Sequence, residues 1–302
     1  MIKKPTVFVL GAGASRHLDY PTAQGLRSRI LELMNAPNEN IWQDFDPDTL
    51  NKFRTSFQSS VPSIDAFLEL HPEFDSLGKR AIARALIPLE SDNNLWRHIQ
   101  SNASKNGWAN WYEYLFTLLR SGVKKPDEFW LNKFYVITFN YDRSLEHYLA
   151  RCLNSSYGIE YAEAVLHLSE RVFHVHGMLS PLGVSEGARE YRLDLDSEIV
   201  SKAARSIKVV HEPELYGVGL LARQKLLEAK RVYFLGFGYD RANLAKLIWP
   251  STFRGQAWGT SIGMEQGEIE AIKAGFKIEF PDGSALGIES LLRNSLPSSV
   301  DH

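Results

Sequence analysis

Short apolar runs and amphipathic stretches alternate along most of this chain. Thr6–Leu10, Phe134–Phe139, Val172–Val175, Ile207–Val210, Val232–Leu235, Ala257–Ile262 and Lys277–Phe280 have strand length and are rich in apolar and β-branched residues. Runs such as Val7-Phe8-Val9-Leu10 show no polar alternation, so both faces of the strand are expected to be buried, as in a parallel sheet. Helical patterns follow several of them, at Thr22–Met34, Arg143–Cys152, Pro213–Ala229, Ala242–Ile248 and Glu265–Ala274. Strand–helix alternation of this kind predicts an α/β fold with a mostly parallel sheet and helices on both faces.

The stretch 36–127 breaks the alternation. It shows helical patterns and no convincing strand. Ser63-Ile64-Asp65-Ala66-Phe67-Leu68 offers a helix N-cap followed by apolar residues. Glu73–Glu90 and Trp108–Arg120 continue the pattern, and the latter carries Trp108, Trp111, Tyr112, Tyr114 and Phe116. Such a stripe is expected to pack the insertion against the sheet; an oligomer contact or a lid is the sharper alternative. Leu179–Ser206 reads as a loop-rich excursion broken by Pro181, Gly183 and Gly187. The expected organisation is one domain over 1–295 with a helical insertion at 36–127 and a flexible tail at 296–302.

Chemistry gathers where strands end. The first strand runs into Gly11-Ala12-Gly13-Ala14-Ser15. Glycines permit a sharp turn and close backbone approach, and N–H groups of such a loop and of a following helix can face a phosphate. The strand 134–139 ends in Asn140-Tyr141-Asp142, preceded by Thr138. Phe173-His174-Val175 ends in His176-Gly177, and Tyr233-Phe234-Leu235 ends in Gly236-Phe237-Gly238. In open α/β sheets this carboxyl edge is where ligands bind. Each residue also has a plainer role open to it. Asn140 could cap a helix, Asp142 could be an early-helix charge, and His176 could close a strand in the core. His174 reads as packing or as support for the site; His147 and His211 read as surface or core.

Composition narrows the partners. A net charge of −2, with charged residues at 23%, asks for neither nucleic acid nor an anionic membrane. The single cysteine, Cys152, cannot form an internal disulfide or a cysteine zinc site, so no metal is expected. No secretory pattern opens the chain and no apolar run nears ~20 residues. A soluble cytoplasmic protein is the expectation.

Taken together, Gly11-Ala12-Gly13-Ala14-Ser15, Thr138-x-Asn140-x-Asp142, His176-Gly177 and Gly236-x-Gly238 resemble the sirtuin superfamily. They resemble most its divergent bacterial sirtuin-like branch, and they occur in the family's order. Ser63-Ile64-Asp65 with a helical insertion is similar to that branch too. The resemblance implies a Rossmann-like sheet that binds NAD, with chemistry at the nicotinamide–ribose bond. Gly11, Ala12, Gly13, Ala14 and Ser15 would then hold the pyrophosphate and adjacent ribose. Thr138, Asn140 and Asp142 would meet the nicotinamide ribose and nicotinamide. His176 would be the general base or orient the ribose hydroxyls, and Gly236 and Gly238 would approach the adenosine side.

The residue types suit such chemistry on their own terms. A side-chain amide places a water or hydroxyl without adding charge, and a histidine accepts a proton near neutral pH. The chain departs from protein-deacylating sirtuins, which carry a four-cysteine zinc module in the interval that Leu179–Ser206 occupies here. It also lacks their Gly-Ile-Pro-Asp-Phe-Arg type loop; Arg16–Thr22 stands there, with only Pro21 and Tyr20 echoing it. Deacylation is therefore disfavoured. The expected function is NAD glycohydrolysis to nicotinamide and ADP-ribose, as in zinc-less effectors of anti-phage defence. The alternative is a non-catalytic module that binds NAD or ADP-ribose. A nucleotide phosphoribohydrolase would need a carboxylate-rich motif that the strand ends do not show. A homo-oligomer is expected, with the 108–120 helix as candidate interface, and a separate activating protein is the other expected partner.

Overall fold

The structure is a computed structural model that describes residues 1–35, 40–60, 63–100, 110–208, 218–247, 253–281 and 284–296. Its centre is a parallel sheet of β1 (Thr6–Leu10), β2 (Phe134–Thr138), β3 (Val172–His174), β4 (Arg231–Leu235) and β5 (Gln256–Gly259). The strand order is β3-β2-β1-β4-β5, parallel throughout. The chain steps outward from β1 to β3, then crosses to the other flank for β4 and β5. Its topological switch point falls between β1 and β4. The α/β, Rossmann-like expectation holds.

Helix α1 (Ala23–Asn35) follows β1. The insertion carries α2 (Pro47–Gln58), α3 (Ile64–Leu70), α4 (Asp75–Leu86), α5 (Asp92–Gln100) and α6 (Trp111–Arg120). After β2 come α7 (Ser144–Tyr157) and α8 (Tyr161–Ser169), and after β3 come α9 (Ser197–Arg205) and α10 (Val218–Glu228). The remaining helices are α11 (Arg241–Lys246), α12 (Gln266–Phe276) and α13 (Ile288–Ser295).

Period-two alternation divides the strands between two cores. Phe8, Leu10, Val136, Tyr233 and Leu235 join a large core with the insertion, α7 to α9 and α13. Val7, Val9, Ile137, Val232 and Phe234 face a smaller core with Ala222 and Leu226 of α10 and Leu244 of α11. Among the described residues, no helix is long and apolar enough to cross a membrane.

Several local expectations change. Between β1 and α1 stands a 3-10 helix, Ala12–Leu18, which ends where Asp19 takes a left-handed conformation, φ 65°. The expected strand at Ile207–Val210 reduces to one antiparallel bridge from Ile207 to Gly177, with 209 and 210 outside the described residues. Lys277–Phe280 reduces to one bridge from Glu279 to Trp258, because Lys277 is left-handed at the end of α12. Leu179–Ser206 is not all loop: α9 buries Val200, Ala203 and Ala204, with Asp196 as its cap. Leu296, placed in the tail, is buried, and its carbonyl accepts from the Tyr114 hydroxyl.

The aromatic helix keeps its expected place in the core, and only its alternative reading as an interface changes. Trp111, Tyr112, Tyr114, Leu115, Phe116, Leu118 and Leu119 of α6 are all buried within the single chain. Trp111 Nε1 also donates to the Ala14 carbonyl at 2.8 Å. This face is spent on the core and cannot also be an oligomer interface. Trp108 lies outside the described residues.

Candidate active site

Strand register brings the four motif loops to one edge. Leu235, Leu10, Thr138 and His174 form a single row across β4, β1, β2 and β3. The next residues of each strand therefore leave the sheet together, at the carboxyl edge where α/β sheets bind ligands.

On the β1–β4 side the loops are locked by backbone. Gly11 N donates to the Leu235 carbonyl at 3.1 Å and Gly13 N to the Gly236 carbonyl at 2.9 Å. A Cβ on Gly11 would lie 2.6 Å from Gly236 O, and one on Gly13 would lie 2.8 Å from Gly236 Cα. Gly236 itself has φ 58°, and its Cβ would sit 2.2 Å from Ala14 N. These glycines are required by each other. Three of the loop's N–H groups are thereby used within the fold: Gly11 N serves Leu235, Gly13 N serves Gly236, and Ala14 N donates to Gly11 O at 2.9 Å. Gly238 differs, since a Cβ there would meet nothing within 4 Å. Ala12 is half-buried and Ala14 buried in this turn.

On the β1–β2 side the loops are joined by side chains. Ser15 Oγ donates to Asp142 Oδ2 at 2.8 Å, and Asn140 Nδ2 donates to Ser15 Oγ at 3.1 Å. All three residues are buried. Thr138 Oγ1 accepts from Asn140 N at 3.0 Å and so shapes the turn. Asp142 Oδ1 accepts from the backbone N–H of Ser144 at 3.2 Å and also from its hydroxyl. Asp142 thus serves the start of α7 and the site together, while Asn140 does not cap that helix. Burial pushes the Asp142 carboxyl above its ordinary value near 3.8, against the Ser144 and Ser15 donors and with help from the charge of Glu146.

The two histidines divide the work. His174 Nδ1 lies 3.0 Å from the Asn140 carbonyl and Nε2 lies 2.5 Å from Glu146 Oε1. Burial disfavours its charged form, but the charge and hydrogen bond of Glu146, the Asn140 carbonyl and the charge of Asp142 together outweigh burial, and the imidazole is held above its ordinary value near 6.5. His174 therefore anchors the backbone of Asn140. His176, two residues on, stands edge-to-face on Phe139 with ring centres 5.3 Å apart. Its Nδ1 is 3.6 Å from Asp65 Oδ1 of α3. His147 lies apart from this edge, bonded to Tyr161 and Asp92; His211 is outside the described residues.

Sequence reasoning missed Asp65, Glu146 and Ser144 as members of this site. In the sequence Ser63-Ile64-Asp65 reads as a helix start and as part of the resemblance, with no site role given to Asp65; the helix start is present, since Ser63 Oγ accepts from Ala66 N at 3.1 Å. Also missed was a buried clamp beside the site. Arg143 pairs with Glu90 through two nitrogens, at 2.7 and 2.9 Å, and donates to the carbonyls of Ser180, Pro181, Arg189 and Glu190. Arg189 pairs with the same Glu90 carboxylate. The stretch Leu179–Ser206 is thus tied to the insertion's Glu90 by two guanidiniums.

A cavity of about 320 Å³ adjoins Gly13, Ala14, His17 and Trp111, with Gly287 and Arg293 across from them. Its size falls within the range of small-ligand sites. A second cavity, about 240 Å³, lies at the amino end of the sheet by Thr6, Trp130 and Arg171, and no motif residue lines it. No family model matches the chain, and no curated protein matches it at a significant level.

Proposed function

We propose that the chain binds NAD at this carboxyl edge and hydrolyses its nicotinamide–ribose bond, as an NAD-depleting effector of the anti-phage kind. The observation that carries the reading is the convergence of Ser15, Asn140 and Asp142 into one buried hydrogen-bonded group, with His176 leaving the adjacent strand. The four motifs in sirtuin order support it as well.

The reaction needs little from the protein. The C1′–N bond breaks with its electron pair passing to nicotinamide, which leaves neutral. Positive charge develops on the ribose, and a water oxygen bonds to C1′. One proton of that water goes to His176 and then to solvent. Asn140 orients the water or a ribose hydroxyl, Asp142 sets Ser15 and Asn140, and neutral amide and hydroxyl groups fit a step that releases a neutral leaving group. A positioned base contributes about 10²–10⁴ in rate. The cavity beside Gly13 and Ala14 is lined by none of Ser15, Asn140, Asp142 and His176, so in this reading it takes a part of the dinucleotide remote from the scissile bond.

The test is nicotinamide release from NAD by the purified protein, resolved by chromatography. Asn140→Ala and His176→Ala are expected to abolish release while thermal unfolding stays near wild type. The second product peak separates ADP-ribose from a cyclic product. NAD pools in cells with and without phage extend the test to a triggered enzyme. Intact NAD throughout, with a ligand-dependent rise in melting temperature, would establish the binding module instead.

A further inference from the structure

We infer that Asp65, contributed by the helical insertion, is the positioning carboxylate of His176. The inference rests on the NAD-cleaving reading above and extends it to a residue outside the sheet-edge motifs. Asp65 stands in the first turn of α3, between Ile64 and Phe67, which are buried in the large core, so its place is built rather than incidental. Its Oδ1 faces His176 Nδ1 at 3.6 Å and accepts the hydroxyl hydrogen of Tyr141 as well. Tyr141 lies between Asn140 and Asp142, and its ring packs beside His176 with centres 6.1 Å apart. A carboxylate in the first turn is favourable to any helix. What distinguishes Asp65 is that both its partners belong to the motif loops.

The chemistry follows from imidazole's two nitrogens. A carboxylate at Nδ1 keeps the proton there, leaves Nε2 with its lone pair, and steadies the cation that forms when Nε2 takes a proton from water. The 3.6 Å separation is slightly long for a hydrogen bond, and such contacts commonly tighten when substrate binds. Tyr141 holds the carboxylate in place, so the insertion completes the base.

The experiment pairs two readouts on the full chain. Two-bond ¹H–¹⁵N correlation reports which His176 nitrogen carries the proton, in wild type and in Asp65→Asn, a substitution that keeps the shape. Nicotinamide release is followed beside it. The expected wild-type form is Nδ1–H, shifting toward Nε2–H in Asp65→Asn. Turnover is expected to drop about 100-fold, at the lower end of what a general base supplies, with KM within about threefold. Asp65→Glu should recover part of the loss. An unchanged tautomer, or full turnover in Asp65→Asn while His176→Ala is inactive, would overturn the inference and leave the proposed reaction standing. A wild type that never cleaves NAD overturns the reaction itself, and the tautomer then decides separately whether Asp65 controls His176.

Discussion

The two halves of the carboxyl edge are held together by different means. Between β1 and β4 the contact is backbone on backbone: Gly11 and Gly13 against Gly236, with no side chain between them. Between β1 and β2 it is side chain on side chain: Ser15, Asn140 and Asp142, with Glu146, His174 and Asp65 behind them. At Gly11, Gly13 and Gly236 the first half tolerates no added atom, and these contacts titrate nothing. The second half can change charge, exchange partners and move protons. Backbone packing and ionisable side chains are thus separated onto opposite sides of β1.

The sharpest way to break this contrast is Gly236→Ala. The new Cβ would stand 2.2 Å from Ala14 N on a backbone at φ 58°. Combining the left-handed penalty with overpacking gives a loss of roughly 2–5 kcal/mol, measured by urea denaturation. A wild-type midpoint would show that the loops separate freely.

The polar half should instead reveal itself through pH. His174 binds its proton more tightly folded than unfolded, because Glu146, with the Asn140 carbonyl and Asp142, outweighs the opposing effect of burial. Its contribution to stability is therefore complete below about pH 6.5 and is lost as pH rises through the raised folded value. The slope cannot exceed about 1.4 kcal/mol per pH unit for one proton. Glu146→Gln should flatten that decline above about pH 6.5; urea midpoints measured upward from there decide, and an undiminished slope would assign it elsewhere.

The smallest effect is expected at Gly238→Ala. With nothing within 4 Å of the new methyl, stability should stay within about 0.5 kcal/mol. If this position borders bound NAD, the variant loses thermal stabilisation by NAD without losing stability of its own. A large loss in the free protein would place Gly238 with the interlocked glycines.

How far the sequence carries the argument differs along the same line. β1, β2 and β4 were legible because five-residue apolar runs have few other solutions, and their parallel order alone aligns the motifs at one edge. The 3-10 helix at Ala12–Leu18 was not, since small residues with no apolar period leave loop and turn indistinguishable. Helix α9 hid among the breakers that precede it. Nothing local could announce that Gly13 needs Gly236, or that Asp65 meets His176, because those requirements exist only between segments distant in the chain. The aromatic stripe of α6 was read correctly as core; its second reading as an interface fails because all seven of its large apolar side chains, from Trp111 to Leu119, are buried.

The interlock of Gly11 and Gly13 with Gly236 also sets a clock. β1 is made first, yet it pairs with β2 and β4, which begin at Phe134 and Arg231. During synthesis at roughly 5–20 residues per second, the amino-terminal strand waits on the order of 10–45 s for the loop that locks it. A nascent or truncated chain ending before Gly236 has no locked glycine turn, however complete its Asn140 and His176 segments are. For a protein proposed to consume its own cell's NAD, the ribosome itself would then withhold activity until the loop at Gly236 has emerged.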